Sequence, residues 1–294
     1  MDIVDESTRV RLLELQRMEA TEAEVYKRLA KMQNDPVNRS ILEGISLEEE
    51  RHEKEIQKMT GERVRPNRIK VLRQLFLAKL FGFTFSVKMM ESTEKDAAAE
   101  YRALGLHDIA EEEEAHESNM IGMLDEERLR YSGSVVLGMS DALVELTGAL
   151  AGLTFALQDI RLVALTGLVT GIAASFSMGA SEYLSSRAEK KSESPIKAAF
   201  FTWISYLLTV ILLVSPYLLL KPESPVYLGL EAYAQALIAT FAIGLLIVAF
   251  FNFYISVVEE VSFRRRFIEM VSILGVVSLI SYGIGIALRT TLGL

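Results

Sequence analysis

Two E-x-x-H motifs, Glu49–His52 and Glu113–His116, take up two of the three histidines in the chain. Residues three apart on a helix share a face, so each motif aims a carboxylate and an imidazole at one point. Carboxylate oxygens bridge two ions well, and one imidazole per ion completes the shell for Fe²⁺ or Mn²⁺. A two-metal site of this kind needs two such helices and two more that supply carboxylates. Glu19, with Glu22 one turn on, and the pair Glu91 and Glu94 are placed to do so. A second set of ionisable groups stands in apolar sequence. Asp141 and Glu145 are spaced i,i+4, as are Met178 and Glu182. Carboxylates inside a membrane span are costly and mark ion paths. A thioether beside them favours transition-metal ions over Ca²⁺ and Mg²⁺.

A blander origin competes for each feature. The segments EEERHE and EEEEAH are charge runs, and a single E-x-x-H in such a run reads as a solvated helix face. Two of them, with glutamates on the other two helices, favour a metal site. His107 follows Gly105 beside a helix start, belongs to no motif, and reads as a surface histidine. Met178 taken alone reads as packing or a lipid-facing residue. Glu259 and Glu260 read as a solvated helix end as readily as a metal-recruiting one.

The elements that must carry these residues are all helical. Apolar spacing predicts helices over about 6–34, ended by Asn34-Asp35-Pro36, and over about 37–60, ended at Thr60-Gly61. Two more are predicted over about 83–104 and 107–131. Residues 67–82 differ: Ile69, Leu72, Leu75, Phe76 and Leu80 alternate with Arg68, Lys70, Arg73 and Lys79. That is the make-up of a short basic amphipathic helix lying in a membrane interface, with packing on the bundle as the alternative. Five apolar spans follow at about 134–157, 162–184, 197–220, 233–256 and 268–290. Each can cross a hydrocarbon core of roughly 30 Å. The fold class is therefore all-α, a four-helix bundle (1–131) followed by a five-span transmembrane domain (132–294). Gly138, Gly148 and Gly152 in span one, and Gly167, Gly171 and Gly179 in span two, permit close helix approach.

Composition narrows the function. The chain has no cysteine, which excludes disulfides, thiolate zinc sites and Cys-ligated clusters. Its net charge of −8, concentrated in the first half, suits cations and is the wrong sign for nucleic acid. The start MDIVDESTRV lacks the pattern of a signal peptide, so the first span is expected to direct insertion. Arg128 and Arg130 precede span one; Arg187, Lys190, Lys191 and Lys197 lie between spans two and three; Arg264, Arg265 and Arg266 follow span four. The alternate loops hold only Arg161 and Lys221. The positive-inside rule then places the N-terminal half in the cytoplasm and the C-terminus outside.

The first half resembles the ferritin-like superfamily, closest to rubrerythrin and erythrin domains, on Glu19 with Tyr26 seven later, Glu49-x-x-His52, Glu91-x-x-Glu94 and Glu113-x-x-His116. The resemblance implies a ferritin-like four-helix bundle with a di-iron site (Fe²⁺/Fe³⁺, or Mn²⁺). Its ligands would be Glu19, Glu49, His52, Glu91, Glu94, Glu113 and His116, and Tyr26 would stand behind them. The Cys₄ iron site of full rubrerythrins is absent, which argues against rubrerythrin-type peroxidase turnover.

The second half resembles the vacuolar iron transporter (CCC1-like) family on Gly138–Glu145 (GMSDALVE) and Ser177–Ser185 (SMGASEYLS), with Ser181 where that family has glycine. The resemblance implies a homodimer, with Asp141 and Met178 lining a metal path and Glu182 on the family's glutamate; Glu145, one turn from Asp141, is expected on the same path by its spacing. The whole resembles the erythrin–vacuolar iron transporter fusions (membrane-bound ferritins) of prokaryotes. The implied activity is export of cytoplasmic Fe²⁺ (or Mn²⁺) across a prokaryotic plasma membrane in exchange for protons, with the bundle capturing or sensing metal. The implied partners are metal ions, protons, lipid and a second copy. The rival expectation is a membrane-anchored di-iron ferroxidase or peroxidase.

Overall fold

The computed structural model describes residues 6–113, 130–189, 194–222 and 229–292, with backbone alone over 91–97 and at 292. The described residues are helical throughout their regular elements. They divide into two compact units, one of residues 1–129 with 254–260, the other of 130–253 with 261–294.

The first unit begins with α1 (Glu6–Met32) and α2 (Pro36–Thr60). The Asn34-Asp35-Pro36 turn both ends α1 and starts α2. Asp35 caps α2 by accepting from Val37 N at 2.9 Å, and Pro36 occupies the first helical turn, where its missing N–H costs nothing. Gly61 closes α2 at φ 67°, a left-handed conformation that glycine adopts without strain. Asn67 caps α3 (Arg68–Phe81), accepting from Ile69 N and Lys70 N at 3.1 and 3.2 Å. Gly82, at φ 104°, breaks the chain between α3 and α4 (Phe83–Ala103). The fourth bundle helix expected over 107–131 is described only as α5 (His107–Glu112). The remainder lies outside the described residues, with His116 in it.

Two apolar layers hold this unit together. One joins Val25, Tyr26, Leu29, Leu42, Ile45, Val71, Ala78, Val87 and Met90. The other joins Leu12, Leu15, Ile56, Tyr101, Ile109 and Ala110. Residues 16–24 of α1 and 46–55 of α2 fall between the layers. The E-x-x-H segment of α2 thus sits in a polar slab sealed at both ends. In the segment 67–82, α3 packs Val71, Gln74 and Ala78 into the unit and leaves Ile69, Leu72, Phe76 and Leu80 exposed.

The second unit holds the five apolar helices, α6 (Ser132–Leu157), α7 (Ile160–Ala188), α8 (Pro195–Leu219), α9 (Ala232–Val258, save residues 254–258) and α10 (Phe263–Leu292). All five are long and apolar enough to cross a membrane, which makes the chain an integral membrane protein. Each begins two to five residues before the apolar run alone suggests, except α9, which begins one before, because caps and first turns are polar. Asp159, for example, caps α7 through Arg161 N and Leu162 N. Helices α6, α7 and α8 form the centre around Leu143, Leu146, Leu150, Val163, Val210 and Leu213. Small residues set the spacing. A Cβ built on Gly138 would stand 2.2 Å from the Thr202 carbonyl oxygen of α8, and one on Gly152 2.9 Å from the Ser281 oxygen of α10.

Candidate metal centre

Glu19 from α1, Glu49 and His52 from α2, and Glu113 just after α5 converge inside the polar slab of the first unit. One ligand atom from each lies within 4.8 Å of all the others. Glu19, Glu49 and His52 are 1–3% exposed. His52 Nδ1 stands 2.9 Å from Glu113 Oε1, 3.5 Å from Glu19 Oε2 and 3.8 Å from Glu49 Oε2. None of these four atoms has a hydrogen-bond partner; the 2.9 Å approach lacks hydrogen-bond geometry. Buried polar atoms are nearly always satisfied. Four that point at one place without a hydrogen bond among them suit a cation there. Three carboxylate oxygens and one imidazole nitrogen are a donor set that Fe²⁺ or Mn²⁺ accepts. This cluster can hold a metal ion.

Electrostatics lead to the same place. Burial pushes the Glu49 carboxyl well above the usual range, and the neighbouring charge of Glu19 adds to it, against a smaller opposing pull from His52. Burial works against a charged His52, yet Glu113, Glu19 and Glu49 outweigh it and hold the imidazole far above its ordinary value. Protons and a metal cation therefore compete for the same cluster.

Two residues that the motifs did not single out complete the site. Glu112 Oε2 lies 3.1 Å from His52 Nε2, on the outer edge of the ring. Arg51 pairs with the same carboxylate at 2.5 Å and holds its pKa below the usual range. An ionised Glu112 accepts the Nε2 proton, which leaves the Nδ1 lone pair facing the cluster, the usual way an outer carboxylate orients a ligating histidine. Tyr101, buried on α4, donates to Glu19 Oε1. Burial and then the Glu19 charge keep its phenol above the normal range, so it stays a donor. Its signal was present in the sequence: Glu94 and Tyr101 repeat the seven-residue spacing of Glu19 and Tyr26. Tyr26 itself is fully buried in the apolar layer with Val25 and Leu29. Gln16, also buried, links α1 to the end of α2 by accepting from Thr60 Oγ1 and donating to Glu62 O.

The other expected ligands fall differently. The backbone of α4 carries Glu91 and Glu94 between Met90 and Ala98, which belong to the buried face, but their side chains are not described. His116 lies outside the described residues. His107 is exposed, as its position beside Gly105 suggests.

In the second unit, Asp141 and Glu145 share one face of α6, Asp141 partly buried and Glu145 exposed. Tyr206 of α8, itself buried, donates to Glu145 Oε2 at 2.6 Å. Glu182 is buried near the end of α7, where its Oε1 accepts from Ser134 Oγ at 3.0 Å and Ser186 Oγ at 3.2 Å. Ser134 precedes Asp141 by two helical turns, about 10 Å along the axis. Within one chain, then, Glu182 does not join Asp141 and Glu145 in a single cluster. Among the described residues, the group around His52 alone brings three or more such ligands together. Met178 is partly buried against the apolar centre of α6–α8.

The VIT family model matches residues 133–194, which span α6, α7 and the connection to α8. No curated protein and no solved structure matches the chain.

Proposed function

We propose that the protein is a membrane transporter that moves Fe²⁺, or Mn²⁺, out of the cytoplasm, and that its first unit captures or senses the metal it exports. The match to the VIT family over spans one and two carries this reading, because that stretch contains Asp141, Glu145, Met178 and Glu182. A family of vacuolar iron transporters handles these same ions. Carboxylates within apolar helices are tolerated where an ion or proton passes. Asp141 and Glu145 lie on a face of α6 that is incompletely covered by its own chain, which suits a path completed by a second copy.

The same carboxylates bind either a proton or a metal ion, so release of metal on the far side can be coupled to proton uptake. The loop charges favour a cytoplasmic first unit and an outside C-terminus. In the first unit, Glu19, Glu49, His52 and Glu113 would hold one ion. Glu91, Glu94 and His116 are the natural ligands for a second, which would make the site di-iron in a ferritin-like bundle. A bound di-iron centre supplies redox chemistry with O₂ or peroxide. The buried, oxidisable Tyr101 on Glu19 favours a second reading, in which this unit is a ferroxidase.

Flux of Fe²⁺ and Mn²⁺ into proteoliposomes under an imposed pH gradient tests the proposal, with wild type beside Asp141→Ala. Export predicts flux that dissipates the gradient and is lost in Asp141→Ala, while metal bound to the first unit stays unchanged. Flux in both no greater than in protein-free liposomes, with metal still bound, would overturn transport and leave the oxidase reading, whereas equal protein-dependent flux in both would remove Asp141 from the path.

A further inference from the structure

Helix α3 is apolar on two opposite sides. Val71, Gln74 and Ala78 point into the first unit. At 100° per residue, Ile69, Leu72, Phe76 and Leu80 fall within a stripe about 80° wide on the outer side. Ile69 is 80% exposed, Phe76 64% and Leu72 62%. A solvated helix does not place its largest apolar side chains outward in register. Two apolar faces also cancel in any periodicity measure, which is why the sequence alone leaves the segment undecided between packing and interface. The basic residues frame the outer stripe. Arg68 and Lys79 lie along one edge, Arg73 and Lys70 along the other, and all four are exposed. The helix contains no acidic residue, and none of these four forms an ion pair among the described residues.

We propose that α3 is a lipid-docking element. It lies in the interface of an anionic leaflet, with Ile69, Leu72 and Phe76 at the level of the acyl chains and Arg68, Lys70, Arg73 and Lys79 reaching to headgroup phosphates. Charge complementarity selects this occupant. A stripe of exposed apolar side chains framed by four cations needs an occupant that offers hydrocarbon and anionic charge together, and an anionic bilayer presents acyl chains beneath a sheet of phosphates. The five spans of the same chain guarantee that a bilayer is within covalent reach. Long basic side chains flanking an apolar stripe are the pattern of helices that lie along a membrane surface. Docking would pin the first unit to the leaflet through α3, independently of any metal flux through the spans.

The chain has no cysteine, so one introduced thiol carries a unique nitroxide. We would label full-length Phe76→Cys and Leu72→Cys in vesicles of mixed zwitterionic and anionic phospholipid, with Lys58→Cys on the exposed side of α2 as the water-facing reference. Collision rates with O₂ and with a water-soluble nickel chelate report depth. Docking predicts an O₂-to-nickel ratio several-fold higher at positions 72 and 76 than at 58. It also predicts a fall to the reference value when Arg68, Lys70, Arg73 and Lys79 are all changed to Glu. A ratio at 72 and 76 equal to that at 58 overturns the proposal. So does exclusion of both reagents, which would mean that protein covers the stripe. Outward-facing substitutions leave the buried face of α3 intact, and retained metal binding verifies the fold.

Discussion

Glu112 Oε2 and His52 Nε2 meet at 3.1 Å on the side of the imidazole opposite the carboxylates of Glu19, Glu49 and Glu113. The two adjacent glutamates of the EEEE run thus grip one histidine from both ring nitrogens. Glu113 approaches Nδ1 from within, and Glu112, neutralised by Arg51, approaches Nε2 from without. Removing the outer carboxylate releases the tautomer. Glu112→Gln should weaken Fe²⁺ or Mn²⁺ binding by roughly 10-fold, the low end for loss of a histidine-orienting partner. Calorimetric titration of the purified protein checks this; unchanged affinity would mean that His52 is oriented by something else.

Glu49→Gln should separate stability from metal binding. Burial and the like charge of Glu19 raise the Glu49 pKa, so at neutral pH folding must protonate a carboxyl that is ionised in the unfolded chain, and its neutral isostere avoids that cost. The metal-free melting temperature should rise by about 2–4 °C, equivalent to roughly 1 kcal/mol for a chain of this class. The increase in melting temperature that added metal gives the wild type should disappear. Thermal unfolding with and without Mn²⁺ measures both. A variant that melts lower without metal would argue that Glu49 is stabilising in its own right.

The protonation of the cluster has a definite sign. Both Glu49 and His52 have folded pKa values raised above their ordinary ones, so the metal-free fold binds more protons than the unfolded chain. Their contribution to stability is complete on the acid side and is lost as pH rises through the folded values. Metal must displace these protons, so apparent affinity should increase with pH across neutrality, with net proton release on binding. Titration in two buffers of different ionisation enthalpy detects that release. Affinity independent of pH between about 6 and 8 would contradict it, since an ordinary imidazole titrates near 6.5.

Tyr206 holds Glu145 from the neighbouring span. Tyr206→Phe keeps the packing volume and removes only the donor. Metal flux in proteoliposomes should fall several-fold, less than in Asp141→Ala, while metal bound to the first unit is unchanged. Wild-type flux would leave the tyrosine a packing residue.

Span packing supplies a structural control. Gly138→Ala places a methyl 2.2 Å from the Thr202 oxygen, where backbone must move. Such overpacking costs roughly 1–3 kcal/mol. Gly283→Ala meets nothing within 4 Å. Melting in detergent should fall in the first variant and hold in the second.

Spacing alone determined much of this protein. Residue types that differ in their preference for water set five apolar helices apart from a charged half. The i,i+3 rule put Glu49 and His52 on one face, and spacing named Glu19 and Glu113 as their partners, the four residues that the fold brings together. The Asn34-Asp35-Pro36 turn marked where the first helix ends, because that choice is local. What remained for the tertiary structure was every question of which faces meet. Sequence cannot say which member of a glutamate run faces inward, since adjacent residues on a helix differ by 100°; packing of α5 against α2 separates Glu112 from Glu113. It cannot pair Tyr101 with Glu19 across 82 residues, or Tyr206 with Glu145, because those bonds exist only once distant helices are side by side. Nor can it tell an apolar residue that is buried from one that is exposed in α3, where apolar residues occupy both faces and only the neighbours of Val71 and Ala78 reveal which side the fold has taken.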